Sequence, residues 1–427
     1  MADRQAEIAT DERPKVIIDD DPTGTQAVSD VEVILRPDRA AFDDLFASGR
    51  RSAFVLSNSR ALPERAAAEL VGGIARTATA AARAAGVSAT VILRGDSTLR
   101  GHVFAEADAV APGTPMLFVP AFVDGGRFTE GGVHRLRTAD GAVPVAETEF
   151  ARDPVFGYTS RDLPGWVREV SGGRRHARTV PLDRLRGDGP DAVADALVAA
   201  GPETVVVPDC VSQDDVLTIA AGLVRAERRG AAVVVRCAAS LAAALAGLAT
   251  RPLDRIELPP RGRVLVACGS FTMASTRQLR ALGGLWERRV EIPVGARRGE
   301  DRRRAGEVRE RLAAEGRALL ATDRSPGHGR VPAAPELLMD ALVGTVRHLA
   351  PEVDLVVAKG GVTSARLATD ALGATSAHVL GQIRPGVPVW RLRTPLGSPS
   401  YVVVPGNVGT DDTLRDILAR LDTGDRP

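Results

Sequence analysis

Short β-branched runs alternate with Ala-, Leu- and Arg-rich stretches along almost the whole chain, and this alternation most narrows the choice of fold. Residues 31–35, 53–56, 90–93 and 116–119 read as strands, and 63–85 reads as a helix. Such alternation is the pattern of an α/β protein with a mainly parallel sheet, because parallel neighbours need a crossover long enough to hold a helix. The pattern returns at 191–200, 204–207, 214–230, 232–235 and 240–249. It resumes with strands at 263–267, 318–321, 355–358, 389–392 and 401–404 and helices near 275–282, 301–315 and 335–349, with another after Ser364. A chain of 427 residues is long enough for two domains with separate cores. The Pro- and Arg-rich stretch 251–262 reads as the linker, giving an N-terminal domain over 1–250 and a C-terminal domain over 263–427. Both are expected to be α/β with mainly parallel sheets. Between Pro120 and Trp166 the periodicity lapses for far longer than the usual connection of about 4–6 residues, and such a segment usually shapes a binding site.

The apolar run Val16-Ile17-Ile18 ends in three consecutive acids, Asp19-Asp20-Asp21, followed by Pro22-Thr23-Gly24-Thr25-Gln26. In open α/β sheets ligands collect beyond the carboxyl ends of strands, and acids gathered there repel unless a metal, a sugar hydroxyl or a cation fills the gap. The plain alternative is a strand-terminal turn with capping Asp and Thr. A second strand, Val91-Ile92-Leu93, runs into Arg94-Gly95-Asp96-Ser97-Thr98-Leu99-Arg100-Gly101-His102. Arg offers a planar fork for a carboxylate or phosphate, while Asp and Ser exchange hydrogen bonds with hydroxyls, so this turn suits a small polyhydroxy acid. Its alternative is an exposed helix start capped by Asp96 or Ser97. Gly125-Gly126-Arg127 offers a further cation, and His134 reads more readily as a satisfied histidine than as a catalyst.

In the second half, three strands end in small residues: Cys268-Gly269-Ser270, Lys359-Gly360-Gly361-Val362-Thr363-Ser364 and Pro405-Gly406-Asn407-Val408-Gly409-Thr410-Asp411-Asp412. Glycine lets backbone amides approach an anion closely, helix starts add positive character, and an ammonium can sit on phosphate oxygens. Lys15 and Lys359 are the only lysines, so a lysine in such a turn stands out. Together the three turns read as a phosphate cradle. The chain has no G-x-x-x-x-G-K-[ST] segment and no G-x-G-x-x-G after a strand, so neither a P-loop nor a dinucleotide fingerprint is present.

A net charge of +1 with 26% charged residues supplies no basic excess for a nucleic-acid partner. Three scattered cysteines, Cys210, Cys237 and Cys268, lack zinc-ligand spacing and fit a reducing cytoplasm. The first residues lack an apolar signal core, and no stretch approaches the roughly 18–20 apolar residues of a membrane span.

These motifs, in this order, resemble the four-carbon acid sugar kinase family, which phosphorylates tetronates such as threonate, erythronate and 3-oxo-tetronate with ATP. The resemblance spans nearly the whole chain and also takes in Ser57-Asn58-Ser59-Arg60, Pro144 with Glu147-Thr148, and Asp153-Pro154. It implies a sugar-acid-binding N-terminal domain, a nucleotide-binding C-terminal domain and an active site in the interdomain cleft, with closure about 250–262. By the same resemblance Asp20, Asp21, Arg60, Asp96, Ser97, Arg100 and Arg127 face the sugar acid, and Ser270, Gly360, Gly361, Thr363, Gly406, Asn407, Val408 and Gly409 face ATP. The expected reaction is in-line transfer of the γ-phosphoryl group with Mg²⁺ on the phosphates. Asp21 or Asp20 is the candidate base, with Asp96 next; Arg100 and Arg127 hold the substrate carboxylate, and Lys359 neutralises developing charge. Asp412 either reaches a metal-bound water or caps the following helix. The rival expectations are a sugar-acid sensor without catalysis and a dinucleotide-dependent oxidoreductase; a homodimer is compatible with all three. Departures from the commoner family pattern, namely Asp19, Thr25-Gln26 and His102, gather on the sugar side, with Pro405 on the other.

Overall fold

Apolar runs such as Lys15–Asp19 and Ser52–Leu56 carry hydrophobic side chains on both faces, so they are stable only where helices cover the sheet on both sides. The computed structural model describes residues 2–138, 141–296, 299–324, 335–406 and 408–422. The chain forms two units, Met1–Ala27 with Pro37–Ala249, and Val28–Arg36 with Thr250–Pro427.

In the first unit the strands lie in the order Ser52–Leu56, Lys15–Asp19, Thr90–Arg94, Val234–Cys237, Met116–Val119, Thr204–Pro208 and His176–Val180, all parallel. The helix Glu64–Ala84 buries Ala67, Val71, Ile74, Ala75, Ala78, Ala81 and Ala82, a spacing of three and four that keeps one face on the core. Register matters most at the carboxyl ends. Asp19 pairs with Leu56 on one side and Arg94 on the other, and Arg94 pairs with Cys237. The turns after these strands therefore leave one sheet edge at one level. The stretch 120–166 folds into an antiparallel sheet of Arg127–Glu130, Val133–Thr138 and Gly141–Pro144. A backbone bridge between Thr129 and Cys210 ties that sheet to the rest of the unit.

In the second unit Val290–Ile292, Arg317–Thr322, Val264–Cys268, Leu355–Lys359 and Ser400–Val404 run parallel. Val387–Arg393, Ser376–Arg384 and Val31–Ile34 continue the sheet antiparallel. Val31–Ile34 thus joins the second unit, although a boundary at 250 places it in the first. An apolar run signals burial but not which sheet will bury it. The stretch 251–262, read as a linker, packs on the second unit. Ile256–Glu257 pairs with Leu421–Asp422, and Ile256 and Leu258 enter the core. Among the described residues no helix is long and apolar enough to cross a membrane.

Candidate functional site

At the carboxyl edge of the first unit, five carboxylates (Asp19, Asp20, Asp21, Asp96, Glu106) meet four guanidinium groups (Arg60, Arg94, Arg100, Arg236). The three consecutive acids have different surroundings. Asp19 is buried and accepts from Arg94 Nη1 at 2.9 Å; burial pushes its carboxyl up to about 7 despite that pairing. Asp20, 1% exposed, accepts from Arg60 Nη2 at 2.8 Å and Arg236 Nη2 at 3.2 Å. Asp21 keeps an open face, its side chain 19% exposed, with Oδ2 3.4 Å from Arg60 Nη2 and Oδ1 accepting from the Thr23 amide at 2.8 Å. Burial raises its pKa, but Arg60 and the Thr23 bonds outweigh burial and hold it below the ordinary value. Gly24 is the residue that lets this turn form, because a Cβ there would overlap the Asp19 carboxylate.

Asp96 is the second accessible acid, its side chain 13% exposed. Arg100 Nε donates to it at 2.8 Å, Thr98 Oγ1 donates to the same oxygen, and Arg60 Nη1 lies 3.7 Å away. Against the opposing effect of burial, Arg60 and Arg100 hold this carboxyl well below its usual range. Leu99 in this turn sits at φ +70°, a strained left-handed position held by burial of its side chain. Ser97 is buried and its carbonyl faces His134. Arg100, expected on a substrate carboxylate, is already held by Asp96, approaches Asp153 at 3.8 Å and lies over the Phe150 ring. Arg127 is different. It donates to the Gly125 carbonyl at 2.5 Å, its Nε is buried without a partner, and among the described residues no carboxylate pairs with it.

His134 has the structural role read from the sequence. Its Nε2 lies 2.9 Å from the Ser97 carbonyl, which can only accept, so Nε2 carries the proton and Nδ1 accepts from Thr129 Oγ1 at 3.0 Å. Burial pushes its pKa down to about 4. The unfolded chain, titrating near 6.5, therefore takes up a proton first as pH falls, so stability from this residue is full above about 6.5 and is lost towards 4. The loss is about 3 kcal/mol by linkage. Asp19, raised towards 7, acts with the opposite sign: its contribution is full below about 4 and fades as pH rises through 7. Denaturant unfolding of wild type and His134→Gln at pH 7 and pH 5 separates the two, with the wild type expected to lose more stability than the variant on acidification. His102 also has a packing role, donating from Nε2 to the Leu62 carbonyl at 2.8 Å.

In the second unit, three neighbouring strands bring their glycine turns together around Ser270. Ser270 Oγ accepts from Ser275 Oγ at 2.9 Å, and Thr272 Oγ1 donates to the Gly406 carbonyl at 2.8 Å. A Cβ added at Gly360 would come within 2.9 Å of Ser270 Cβ, and one at Gly406 within 3.1 Å of Ser270 Oγ. Gly361 opens the short helix Gly361–Arg366, and Thr363 is buried with its hydroxyl beside Gly269 and Gly360. The Val408 carbonyl accepts from Gln278 Nε2 at 3.0 Å, and Gly409 sits at φ +88° against Thr413. Asn407 lies outside the described residues. Lys359 is fully buried, and its Nζ donates to the carbonyls of Pro405 at 2.5 Å and Gly406 at 3.3 Å. Burial brings its pKa down to about 8. In this state Lys359 pins the 405–406 turn. Asp412 pairs with Arg415 at 2.9 Å and makes no side-chain cap bond to its own helix.

The sequence matches the models of two adjoining domains: a sugar-binding N-terminal domain over residues 15–245 and a nucleotide-binding C-terminal domain over residues 265–414. The chain belongs to the four-carbon acid sugar kinase family. The family's two-domain α/β architecture accounts for both edges: the acid and arginine cluster lies in the sugar-binding domain, and the glycine turns lie in the nucleotide-binding domain. A Haemophilus influenzae protein of known structure is similar at 18% identity and TM-score 0.63, over 95% of this chain and 99% of that one. A Salmonella typhimurium protein, described as a proposed tRNA synthase, is similar at 19% identity and TM-score 0.64, over 95% and 98%. At these identities the likeness concerns the fold alone. No curated protein matches the sequence.

Two buried members of the acid and arginine cluster escaped the sequence reading. Arg236 lies in the apolar strand Val234–Cys237 and Glu106 in the apolar helix Val103–Val110; each is 1% exposed, and they pair with each other. For Arg236 a lone charge inside an apolar strand was the available signal, since such a charge needs a buried partner; the helix of Glu106 also carries Asp108 and singles out neither. In the nucleotide-binding domain Gly360 sits at φ +112° with no room for a Cβ. Gly360→Ala is expected to destabilise the second unit by about 1–3 kcal/mol, the cost of strain of this kind, as read by urea unfolding.

Proposed function

We propose that the chain is an ATP-dependent kinase that phosphorylates the terminal hydroxyl of a short sugar acid, most simply one of four carbons. The observation that carries this reading is the division of labour in the acid cluster. Asp19, Asp20 and Glu106 are paired with arginines in the interior, while Asp21 and Asp96 share Arg60 and remain accessible, and Arg127, whose charge interacts with that of Asp96, pairs with no carboxylate among the described residues. Accessible carboxylates suit hydroxyls, and an unpaired guanidinium suits a carboxylate.

Asp21 orients the acceptor hydroxyl and takes its proton as the oxygen attacks the γ-phosphorus and the bond to the β-phosphate oxygen breaks, releasing ADP. Asp96 holds a neighbouring hydroxyl, and Arg127 receives the carboxylate, with Arg100 fixed behind it by Asp96. Asp20 is 1% exposed and enclosed by Arg60 and Arg236, which leaves no open face for an acceptor hydroxyl, so its role is to hold Arg60 in place. The amides around Ser270, Gly360, Gly361 and Gly406 receive the nucleotide phosphates, and Lys359 keeps the 405–406 turn in shape. Among the described residues no three His, Cys, Asp or Glu side chains cluster closely enough to hold a metal, and Asp412 is taken by Arg415. Magnesium is therefore assigned to the nucleotide, entering as Mg·ATP, which agrees with its usual preference for phosphate oxygens and water.

The test is ADP release with threonate, erythronate, 3-oxo-tetronate and longer aldonates, with Mg²⁺ present and omitted. Turnover on a four-carbon acid that stops without Mg²⁺ is the expected result. Silence on every acid would overturn the proposed acceptor, and failure to bind Mg·ATP would overturn the proposed donor.

A further inference from the structure

Arg324 follows the strand Arg317–Thr322, which pairs in parallel with Val264–Cys268 so that Ala321 lies opposite Cys268. Residue 324 therefore leaves the sheet beside the Gly269-Ser270 turn. One of its terminal nitrogens donates to the Ser270 carbonyl, the other lies 2.9 Å from Cys268 Sγ, and the guanidinium sits 5.7 Å from the centre of the Phe271 ring. None of these partners is a carboxylate. Its Nε is shielded from solvent and has no hydrogen-bond partner, and among the described residues no carboxylate pairs with it. Arg277, on the adjoining helix, differs in being exposed and paired with Asp411 at 2.8 Å.

Lys359 adds to the imbalance. It is 0% exposed, and its ammonium has only carbonyl partners. A fully buried ammonium and a half-buried guanidinium, with no carboxylate paired to either among the described residues, border turns that meet at Ser270. Leaving a cation away from water without a counter-charge is costly, so such an arrangement is retained most readily where an incoming anion completes it. A single carboxylate would balance one of the two charges; a polyphosphate balances both and can also use the amides of the three turns.

We propose that Arg324 is a nucleotide-binding residue that recognises the polyphosphate chain, so that nucleoside di- and triphosphates are selected over the bare nucleoside. The proposal rests on the nucleotide reading given above and adds a residue and a discrimination to it. On ligand binding the guanidinium keeps its bond to the Ser270 carbonyl and offers its free Nε–H, and its charge, to a phosphate oxygen.

Calorimetric titration of ADP and adenosine, each with Mg²⁺, into wild type, Arg324→Gln and Arg324→Lys tests this. The Gln side chain can still donate to the Ser270 carbonyl but has no charge, which separates holding the turn from binding phosphate. Arg324→Gln is expected to lose about 10- to 100-fold in ADP affinity, the size of one charge-assisted hydrogen bond, with adenosine affinity and the unliganded melting temperature little changed. Arg324→Lys should recover part of the loss. Unchanged ADP affinity in Arg324→Gln, or an equal loss for ADP and adenosine, would overturn the proposal while leaving the nucleotide reading intact. Failure of the wild type to bind ADP would overturn both.

Discussion

Asp21→Asn is expected to lower kcat by about 10²- to 10⁴-fold, the range associated with loss of a positioned general base. ADP binding should be unchanged, because the substitution lies in the sugar-binding domain. The substitution is close to isosteric: Asn can still accept from the Thr23 amide through its carbonyl oxygen, but it takes no proton from the acceptor hydroxyl. Asp20→Asn provides the contrast. That side chain is enclosed by Arg60 and Arg236, so its loss should appear first as reduced stability and a raised KM through a displaced Arg60. The pH profile adds a second readout. Arg60 and the Thr23 bonds hold Asp21 ionised below the ordinary carboxylate range, so its loss of charge should limit activity only in acid. Steady-state kinetics of the two variants decide the assignment: near wild-type kcat in Asp21→Asn would remove it as the base.

The second large effect is on stability. Arg236→Met is expected to destabilise the first unit by about 3–5 kcal/mol, because removing one partner of a buried ion network leaves the remaining charges desolvated and unpaired. Arg236 is 1% exposed and is bonded to both Asp20 and Glu106, which are equally buried. Gly95 makes room for it: a Cβ there would come within 2.4 Å of its Nη2. Adding Glu106→Gln to Arg236→Met should restore part of the loss by removing one stranded charge, and the non-additivity measures the coupling. Urea unfolding at pH 7 of the two single variants, the double variant and wild type gives the comparison. A loss below about 1 kcal/mol in Arg236→Met would mean that water reaches these acids in the folded protein.

Both predictions depend on distinctions that local sequence did not carry. Asp19, Asp20 and Asp21 are chemically identical and adjacent, and their different surroundings arise from groups brought in from far along the chain. Arg94 comes from a neighbouring strand, Arg60 from the turn after another, and Arg236 lies 216 residues from Asp20. Likewise Lys359 stood out as a rare lysine in a glycine turn, which pointed to a phosphate. Its partners in the structure are the carbonyls of Pro405 and Gly406, because the two strands that end there are neighbours in register.

Much else could be read directly. The alternation of apolar runs with amphipathic helical stretches determined an α/β chain with mainly parallel strands, since that period and those crossover lengths suit few other arrangements. The acid and glycine turns at strand ends marked the candidate edge of each unit, because parallel strands place every carboxyl end on the same side. Tertiary structure alone decided which sheet received Val31–Ile34, which of three acids stayed open, and which arginines have no acid partner among the described residues. Those outcomes depend on strand order, register and burial, which are properties of contacts between distant segments, whereas a run of residues by itself specifies only its own tendency to be helix, strand or turn.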